Sequence, residues 1–435
     1  VEFMASSDHD AIIDYAPIIE DMNLEHWLTS SPGTEVTTIE LGHYLGFPLK
    51  WEPLGDKGGA LDWTDLTPQE ILDGLRDLGE PGIEEPMVFI AHPRDGLLGY
   101  FDQYGFDPYS GANGKVNAEP DQLTSLANDL INEGAFTMDF DAMEILNAKR
   151  FENIRSLTTD EVDQLNEVPG TLSTYDLLAR TRTEQRRLKS GDSFISDVAL
   201  GPLDDWFTIL NLGYRVTALG NSDTHSKTST EAGCPRNYVQ LGTDDPEEIT
   251  ASAVAEAVKA GKVVASYGPF IRFGANSWNN GPGATVVDSD DVSLFIEVQS
   301  PSWFEVDRVE LYQNGELIHD WDLEEDHDVL VDLATEVIVT PEIDSWFVVI
   351  ALGEDDLSPV FTPVDIMPIQ LQDIVNGAIG ELGAAFGSFV TEGPPAPRTF
   401  PVQPFALTNP VWIDKDGDGF DPPGIPDWLE APPTK

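Results

Sequence analysis

Short apolar runs alternate with helical patterns along the first 275 residues. The apolar runs are each typical of a buried strand and occupy residues 1–5, 87–91, 142–146, 215–219, 238–241 and 263–265. The helical patterns between them cover residues 14–28, 68–78, 121–132, 174–189, 204–212 and 246–260. Ser, Thr or Asp caps followed by acidic first turns support several of these helices. Strands separated by helices of this length predict an α/β domain over residues 1–275, built around a mainly parallel sheet or barrel.

The pattern changes after about residue 285, where β-rich runs follow one another without helical stretches between them. These runs cover residues 292–299, 308–313, 316–321, 328–333 and 346–352. Asn314-Gly315 separates two of them and is a strong signal for a two-residue hairpin. We therefore predict a small antiparallel β-sandwich over residues 285–365.

Two further segments are predicted to have less regular structure. Residues 366–435 begin with a helical pattern and continue into a stretch rich in Pro and Gly, which predicts an extended C-terminal strap. Residues 99–118 combine Gly, Asp and Asn with aromatic side chains and predict a long surface loop.

The composition excludes several classes of protein. The chain has 78 Asp and Glu residues against 23 Lys and Arg, a formal net charge of −55. Its 41% hydrophobic and 9% aromatic residues provide large cores, which excludes a disordered acidic protein. Such a surface repels phosphate backbones, so no nucleic-acid partner is expected. No apolar run approaches the ~20 residues of a membrane-spanning helix.

The charge also bears on location. Like charge keeps a protein soluble, which by itself would explain the composition. A cation-rich environment would screen the repulsion, and we therefore expect an extracytoplasmic or secreted protein, or one from a halophile. Cys234 is the only cysteine, so no internal disulfide forms and the redox compartment stays open.

Histidines with acidic neighbours follow several predicted strands. His9 lies in Ser-Ser-Asp-His-Asp after the first run, His92 in Ala-His-Pro-Arg after the second, and His225 in Asn-Ser-Asp-Thr-His after the fourth. His43 follows Gly42, eight residues after Glu35. Because the carboxyl ends of parallel strands meet at one edge of a barrel or sheet, these side chains are expected to converge there. Imidazoles and carboxylates in one place suit Zn, Mn or Fe.

The ordered set of motifs resembles the PHP (polymerase and histidinol phosphatase) superfamily. The matching motifs are Asp8-His9, Gly33-x-Glu35, Gly42-His43, His92-Pro-Arg94 and Asp223-x-His225. Residues 220–225, residues 233–238 and the appended β-domain are most similar to its CehA/McbA branch of carbaryl-esterase-like metallohydrolases. The resemblance covers residues 1–275 closely and 285–365 loosely. The family's first motif, His-x-His, belongs upstream of Asp8. Because Val1 begins within a predicted strand, we expect a preceding segment that carries this motif.

The resemblance implies a distorted (β/α)7 barrel with two or three divalent metal ions at its rim. It implies the ligand set Asp8, His9, Glu35, His43, His92, Asp223 and His225. One metal would be held by Glu35, His43 and His92. Glu35 would bridge to a second metal that Asp223 also holds, and a third would use His9 and His225.

These ligands predict hydrolysis of an ester bond in a small-molecule substrate. Two neighbouring cations lower the pKa of a water molecule, which then attacks a phosphorus or carbonyl centre. Asp223 or His9 is a candidate to carry the proton to the leaving group. The planar guanidinium groups of Arg94 and Arg236 suit phosphate or carboxylate oxygens, although an ordinary salt bridge explains each of them as well.

Two further motifs each allow a functional and a structural interpretation. Glu144 and Asn147 lie at the end of the strand predicted over 142–147, where they face the same rim or bind a loop. Asp414, Asp416 and Asp418 alternate before Gly419 like the first half of a calcium loop, but Ile425 replaces the bidentate Glu at the twelfth position. This motif is either a calcium site or an acidic turn.

The sequence therefore predicts a metal-dependent hydrolase acting on a phosphoester, or on a carboxylic or carbamate ester. The alternative is a non-catalytic acidic surface or matrix protein, built on a degenerate barrel of the same family and binding calcium.

Overall fold

The computed structural model describes residues 1–38, 41–79, 85–95, 98–113, 136–148, 154–156, 200–224, 232–288, 290–323, 330–361, 364–366, 398–400, 402–427 and 429. The helices predicted at 121–132 and 174–189 lie outside these residues, as does the candidate ligand His225.

The described residues contain five α-helices. They are α1 (Ala16–Met22), α2 (Pro68–Asp77), α3 (Tyr100–Tyr104), α4 (Pro202–Asn211) and α5 (Ala251–Lys259). Thr67 and Glu70 form a capping box at the start of α2, and the Thr250 side chain caps α5. The helix expected over 14–28 is shorter in the structure, because Asn23 adopts a left-handed conformation and ends α1. Of the helices described, none has the length and apolarity needed to cross a membrane.

The described residues also contain twenty β-strands. They are β1 (Phe3–Ala5), β2 (Thr29–Ser31), β3 (Thr34–Thr37), β4 (His43–Phe47), β5 (Met87–Ile90), β6 (Ala142–Asn147), β7 (Thr217–Asn221), β8 (Arg236–Val239), β9 (Val263–Ser266), β10 (Phe270–Ala275), β11 (Thr285–Val287), β12 (Val292–Gln299), β13 (Arg308–Gln313), β14 (Glu316–Asp322), β15 (Val331–Val339), β16 (Ser345–Leu352), β17 (Val364–Ile366), β18 (Arg398–Phe400), β19 (Phe405–Thr408) and β20 (Val411–Asp414).

A five-stranded sheet in the first half of the chain carries the candidate site. Its spatial order is β3-β4-β5-β6-β7. Strands β3, β4 and β5 pair antiparallel, whereas β5, β6 and β7 are parallel. Strand β1 pairs in parallel with β2, and a bridge between His9 and Glu35 places the segment after β1 beside β3. The ends of β5, β6 and β7 therefore lie along one edge of the sheet.

An eight-stranded sheet dominates the second half. Its path runs β8-β9-β19-β16-β20-β11, and β13 adds to β16 and carries β14. Strand β16 is buried along its whole length because both of its faces are covered. Trp346 and Val348 join the core that includes α4, whereas Phe347 and Val349 face the β-sandwich core.

A second, three-stranded sheet completes the sandwich. Its order is β10-β12-β15, with both pairings antiparallel. The strict alternation of buried and half-buried residues along β12 turns Leu294 and Ile296 toward the larger sheet, where they share a core with Val349. Burial of one face by a second sheet explains this alternation.

The C-terminal residues depart from the predicted strap. Strands β19 and β20 lie in the eight-stranded sheet, where both pair antiparallel with β16, and their residues are buried throughout. Residues 405–414 are therefore part of the sandwich and not an extended strap over its surface. Each of these strands is only four residues long and follows a proline, Pro404 or Pro410. Because both faces are buried, neither strand shows the alternation that would mark it in the sequence.

Residues 99–118 also differ from the expected surface loop. Tyr100 and Phe101 in α3 are fully buried, and Phe106 is buried just after it. The aromatic side chains of this segment pack on one another and on Phe136 and so form a core element. Residues 114–118 lie outside the described part of the chain.

Two asparagine side chains join the two large sheets. The amide of Asn409 accepts a hydrogen bond from Ala218 N at 2.8 Å and donates to Ala218 O and Val263 O. The amide of Asn237 accepts from Gly220 N and donates to Gly220 O. These amides satisfy backbone groups of β7 that no neighbouring strand pairs, since buried polar groups require a partner.

The fold is mixed α/β, with few helices and many strands among the described residues. This confirms the predicted class in its coarse form. The described strands do not form a closed barrel, so the distorted (β/α)7 barrel stays a prediction.

Candidate metal site

Glu35, His43 and His92 lie together at one edge of the five-stranded sheet. Thr37 pairs with His43 across β3 and β4, which makes Glu35 the diagonal neighbour of His43 on the same face. Tyr44 pairs with Ile90 across β4 and β5, and the N–H of Ala91 donates to His43 O. This pairing places His92, two residues after β5, beside His43.

The side chains of these three residues converge closely. His43 Nδ1 is 2.7 Å from Glu35 Oε1 and 3.2 Å from His92 Nε2. His92 Nε2 is 3.5 Å from the same Glu35 oxygen. One ligand atom from each residue lies within 4.8 Å of the others, a spacing compatible with a divalent metal ion. Glu35 and His43 are buried, and the His92 side chain is 10% exposed.

The donor set fits a tetrahedral ion. Ligands about 2.0–2.1 Å from zinc in tetrahedral geometry are about 3.3 Å from one another. The distances from His92 to His43 and to Glu35 match this separation, and the contact between Glu35 and His43 is shorter because it is a hydrogen bond. His43 Nε2 lies 3.1 Å from Thr38 O, a contact that would keep the proton on Nε2 and free Nδ1 for a cation that displaced the hydrogen bond to Glu35.

The electrostatics of the cluster favour an ionised carboxylate. Burial opposes ionisation of Glu35, but hydrogen bonds and charge from His43 and His92 outweigh it and hold the pKa of Glu35 far below its usual range. Burial likewise opposes a charge on His92, yet Glu35, Asp95 and Glu144 raise the pKa of His92 to about 10. Once a cation displaced the imidazole protons that face Glu35, the carboxylate and the two ring nitrogens, largely withdrawn from water, would be suitable ligands for it.

His9 lies at the second oxygen of Glu35. His9 Nδ1 is 3.5 Å from Glu35 Oε2 and 2.6 Å from Thr37 Oγ1, and its side chain is 46% exposed. The two oxygens of Glu35 thus face different partners, which is the arrangement that a bridging carboxylate requires. Asp8, the neighbour of His9, accepts a hydrogen bond at Oδ2 from the hydroxyl of Tyr15, 2.7 Å away.

Asp223 is linked to the cluster through other side chains. Its Oδ2 lies 3.4 Å from Asn147 Nδ2, and Asn147 Nδ2 also donates to Glu144 Oε2 at 2.9 Å. Asp8, His9 and Asp223 therefore stand outside the group of three whose ligand atoms converge. Backbone φ angles of 22° at His92 and 46° at Asp223 place both residues in the left-handed region, a strain typical of functional sites.

The two arginines proposed for substrate binding have protein partners. Arg94 is buried, donates two hydrogen bonds to Asp205 at 2.7 and 2.8 Å, and reaches Asp102 Oδ1 at 2.9 Å. The salt-bridge interpretation of Arg94 therefore applies. The guanidinium of Arg236 donates to the hydroxyl of Tyr238 and to Gly233 O.

Glu144 lies at the site, which selects one of the two interpretations that the sequence allowed. It is 3% exposed, and its carboxylate accepts hydrogen bonds from His92 N at 2.7 Å and Asn221 Nδ2 at 2.7 Å. Burial raises the pKa of Glu144 to about 7, against the lowering effect of His92 and of these donors. Sequence reasoning did not single out Asn221, although it stands in the same motif as Asp223.

A second group of carboxylates lies at the end of β20. Asp414 and Asp416 converge with Asp344, which is remote in sequence, while Asp418 is not part of the group. The Asp344 carboxylate accepts hydrogen bonds from Lys415 N at 2.8 Å and Asp421 N at 2.7 Å. The loop therefore folds around Asp344, which no local sequence signal indicated.

Comparison with known protein families, curated proteins and solved structures finds no significant match to this chain.

Proposed function

We propose that the protein is a metal-dependent hydrolase that cleaves an ester bond with an activated water molecule. The convergence of Glu35, His43 and His92 is the observation that carries this proposal. A bound divalent cation supplies a Lewis acid and lowers the pKa of water toward neutrality. Zn, Mn and Fe all suit this combination of two imidazoles and one carboxylate.

The surrounding residues supply the remaining functions. Glu35 would hold a cation together with His43 and His92, and its Oε2 lies 3.5 Å from His9 Nδ1. His9 is half exposed and is placed to hold a proton at the mouth of the site, where a leaving group departs. Asp223 lies next to Asn147 and is the second candidate for this proton transfer.

The proposed substrate is a small phosphoester, or a carboxylic or carbamate ester. Arg94 is committed to Asp205 and Asp102, which removes one of the two cations expected to bind a phosphate. Arg236 remains as the candidate for an anionic group.

The proposal is tested by loading the purified chain with Zn, Mn or Fe and assaying aryl phosphate, aryl acetate and aryl carbamate substrates. Glu35→Ala is expected to lose metal and hydrolysis together while circular dichroism shows the native fold. Glu336→Ala, at an exposed position of β15, is the matched control and should behave like the wild type. Full hydrolysis by Glu35→Ala refutes the proposal.

Calcium binding is the second candidate function. The observation that favours it is the convergence of Asp344 with Asp414 and Asp416, since oxygen ligands are the ones that calcium prefers. In the alternative of an acidic matrix protein, calcium would bind here and no transition metal would bind at Glu35. Metal analysis after dialysis against each cation separates the two candidates.

A further inference from the structure

Glu144 is the buried carboxylate around which the ends of three parallel strands are organised. Its oxygens accept hydrogen bonds from the N–H of His92 after β5, from Asn147 on β6 and from Asn221 at the end of β7. The three distances are 2.7, 2.9 and 2.7 Å. When Glu144 is ionised, each bond is charge-assisted and stronger than a neutral one.

Two series of contacts lead from Glu144 to residues of the candidate site. In one series, the bond to His92 N fixes the backbone of a residue whose imidazole belongs to the converging group. In the other, Asn147 reaches Asp223 Oδ2, and Asn221 accepts from Asn237 at 3.0 Å. One side chain thus connects His92 to Asp223.

The backbone of both connected residues needs such support. His92 and Asp223 hold positive φ angles that residues other than glycine rarely adopt, and such conformations persist only when neighbouring contacts enforce them. The bond from His92 N to Glu144 acts directly on one of these strained residues. Glu144 itself is not one of the converging ligand residues.

We propose that Glu144 is a positioning residue that sets the distance and orientation between His92 and Asp223. This inference rests on the proposed metal site. It assigns Glu144 a role through its three donors, and not as a ligand or a proton carrier. Outer partners of metal ligands commonly change metal affinity by about 10–100-fold when they are removed.

The test uses cobalt(II) alone as the probe, with binding followed by visible absorption and by competition with a chelator. Glu144→Gln preserves volume but replaces one accepting oxygen by an NH₂ that faces donors. We expect cobalt affinity to fall by about 10–100-fold. Where an ester is hydrolysed, kcat should fall with KM little changed.

Glu310→Gln is the matched control. Glu310 is also a fully buried carboxylate, and it accepts hydrogen bonds from Arg155, Arg308 and Tyr312 in the larger sheet. This variant should lower the midpoint of thermal unfolding and leave cobalt affinity unchanged. An equal loss of cobalt affinity in both variants means a general loss of structure and overturns the positioning role.

Four further outcomes test the inference. Wild-type cobalt affinity in a folded Glu144→Gln protein overturns the inference. If Glu144→Gln does not fold, Asn221→Ala removes one donor without adding another, and unchanged cobalt affinity there overturns it equally. A wild-type chain that binds cobalt but hydrolyses no ester refutes the proposed function alone, because the cobalt measurement still decides the role of Glu144. A wild-type chain that binds no cobalt overturns both.

Discussion

Replacing Arg94 by Met separates a structural role from a role in substrate binding. The guanidinium donates two hydrogen bonds to Asp205, one to Asp102 and one to Phe106 O, all between 2.7 and 2.9 Å. The Asp205 side chain is fully buried. Arg94→Met therefore leaves a buried carboxylate without its cation.

The expected loss of stability is large. Removing one partner of a buried ion pair typically costs about 3–5 kcal/mol, because the remaining charge is buried and unpaired. Combining Arg94→Met with Asp205→Leu should restore part of this cost, with a coupling energy of about 2 kcal/mol in a double-mutant cycle. Urea unfolding followed by circular dichroism measures each value.

The cost should also depend on pH. Burial raises the pKa of Asp205 to about 6 although Arg94 opposes the increase, and removing Arg94 raises the pKa further. When a carboxyl group has a higher pKa in the folded than in the unfolded protein, the folded state loses stability as the pH rises from the unfolded pKa to the folded pKa. Arg94→Met should therefore be more destabilising at pH 8 than at pH 4.

A surface arginine provides the control. Arg272 is 46% exposed and lies 3.2 Å from Glu297, so Arg272→Met should cost less than about 1 kcal/mol. If Arg94→Met is as stable as this control but loses hydrolysis, Arg94 binds substrate and the structural argument is wrong. If it is strongly destabilised and the folded fraction keeps its turnover, the salt-bridge role stands.

Three further predictions concern other parts of the molecule. Asp344→Asn should weaken calcium binding measured by isothermal titration, whereas Asp418→Asn should not. Equal effects would contradict the grouping of Asp344 with Asp414 and Asp416. Asn409→Ala should cost at least about 2 kcal/mol in urea unfolding, since it leaves backbone groups of Ala218 buried without partners, and a smaller value would show that water replaces the amide. Burial raises the pKa of Asp332 to about 6, so its ionised form at pH 8 destabilises the folded protein. Asp332→Asn should therefore increase the free energy of unfolding at pH 8 and not at pH 3, and a decrease at pH 8 would contradict this reasoning.

Local patterns were sufficient for many elements of the fold. The helix predicted over 68–78 is confirmed as α2 (Pro68–Asp77), which the Thr67 side chain caps. The alternation along β12 identifies a strand with one buried face. Such signals are local because they depend on backbone caps and on side-chain periodicity, which a few neighbouring residues determine.

Long-range partners were beyond the reach of the same patterns. Arg94 was compatible with a substrate site or with a salt bridge, and only its contact with Asp205, more than one hundred positions away, separates the two. Asp344 joins the acidic loop of Asp414 in the same way. Abundant acidic residues make every cation a possible ion pair, so the choice of partner depends on which strands and helices become neighbours.

The sequence by itself determined the α/β class, the β-rich second half and the candidate ligands Glu35, His43 and His92. These features depend on side-chain periodicity and residue type over a few neighbouring positions. The tertiary structure alone decided which of the candidate ligands meet, that residues 405–414 enter the eight-stranded sheet, and that Glu144 joins three strand ends. Convergence of distant segments depends on sheet order and register, and those follow from the packing of the whole core.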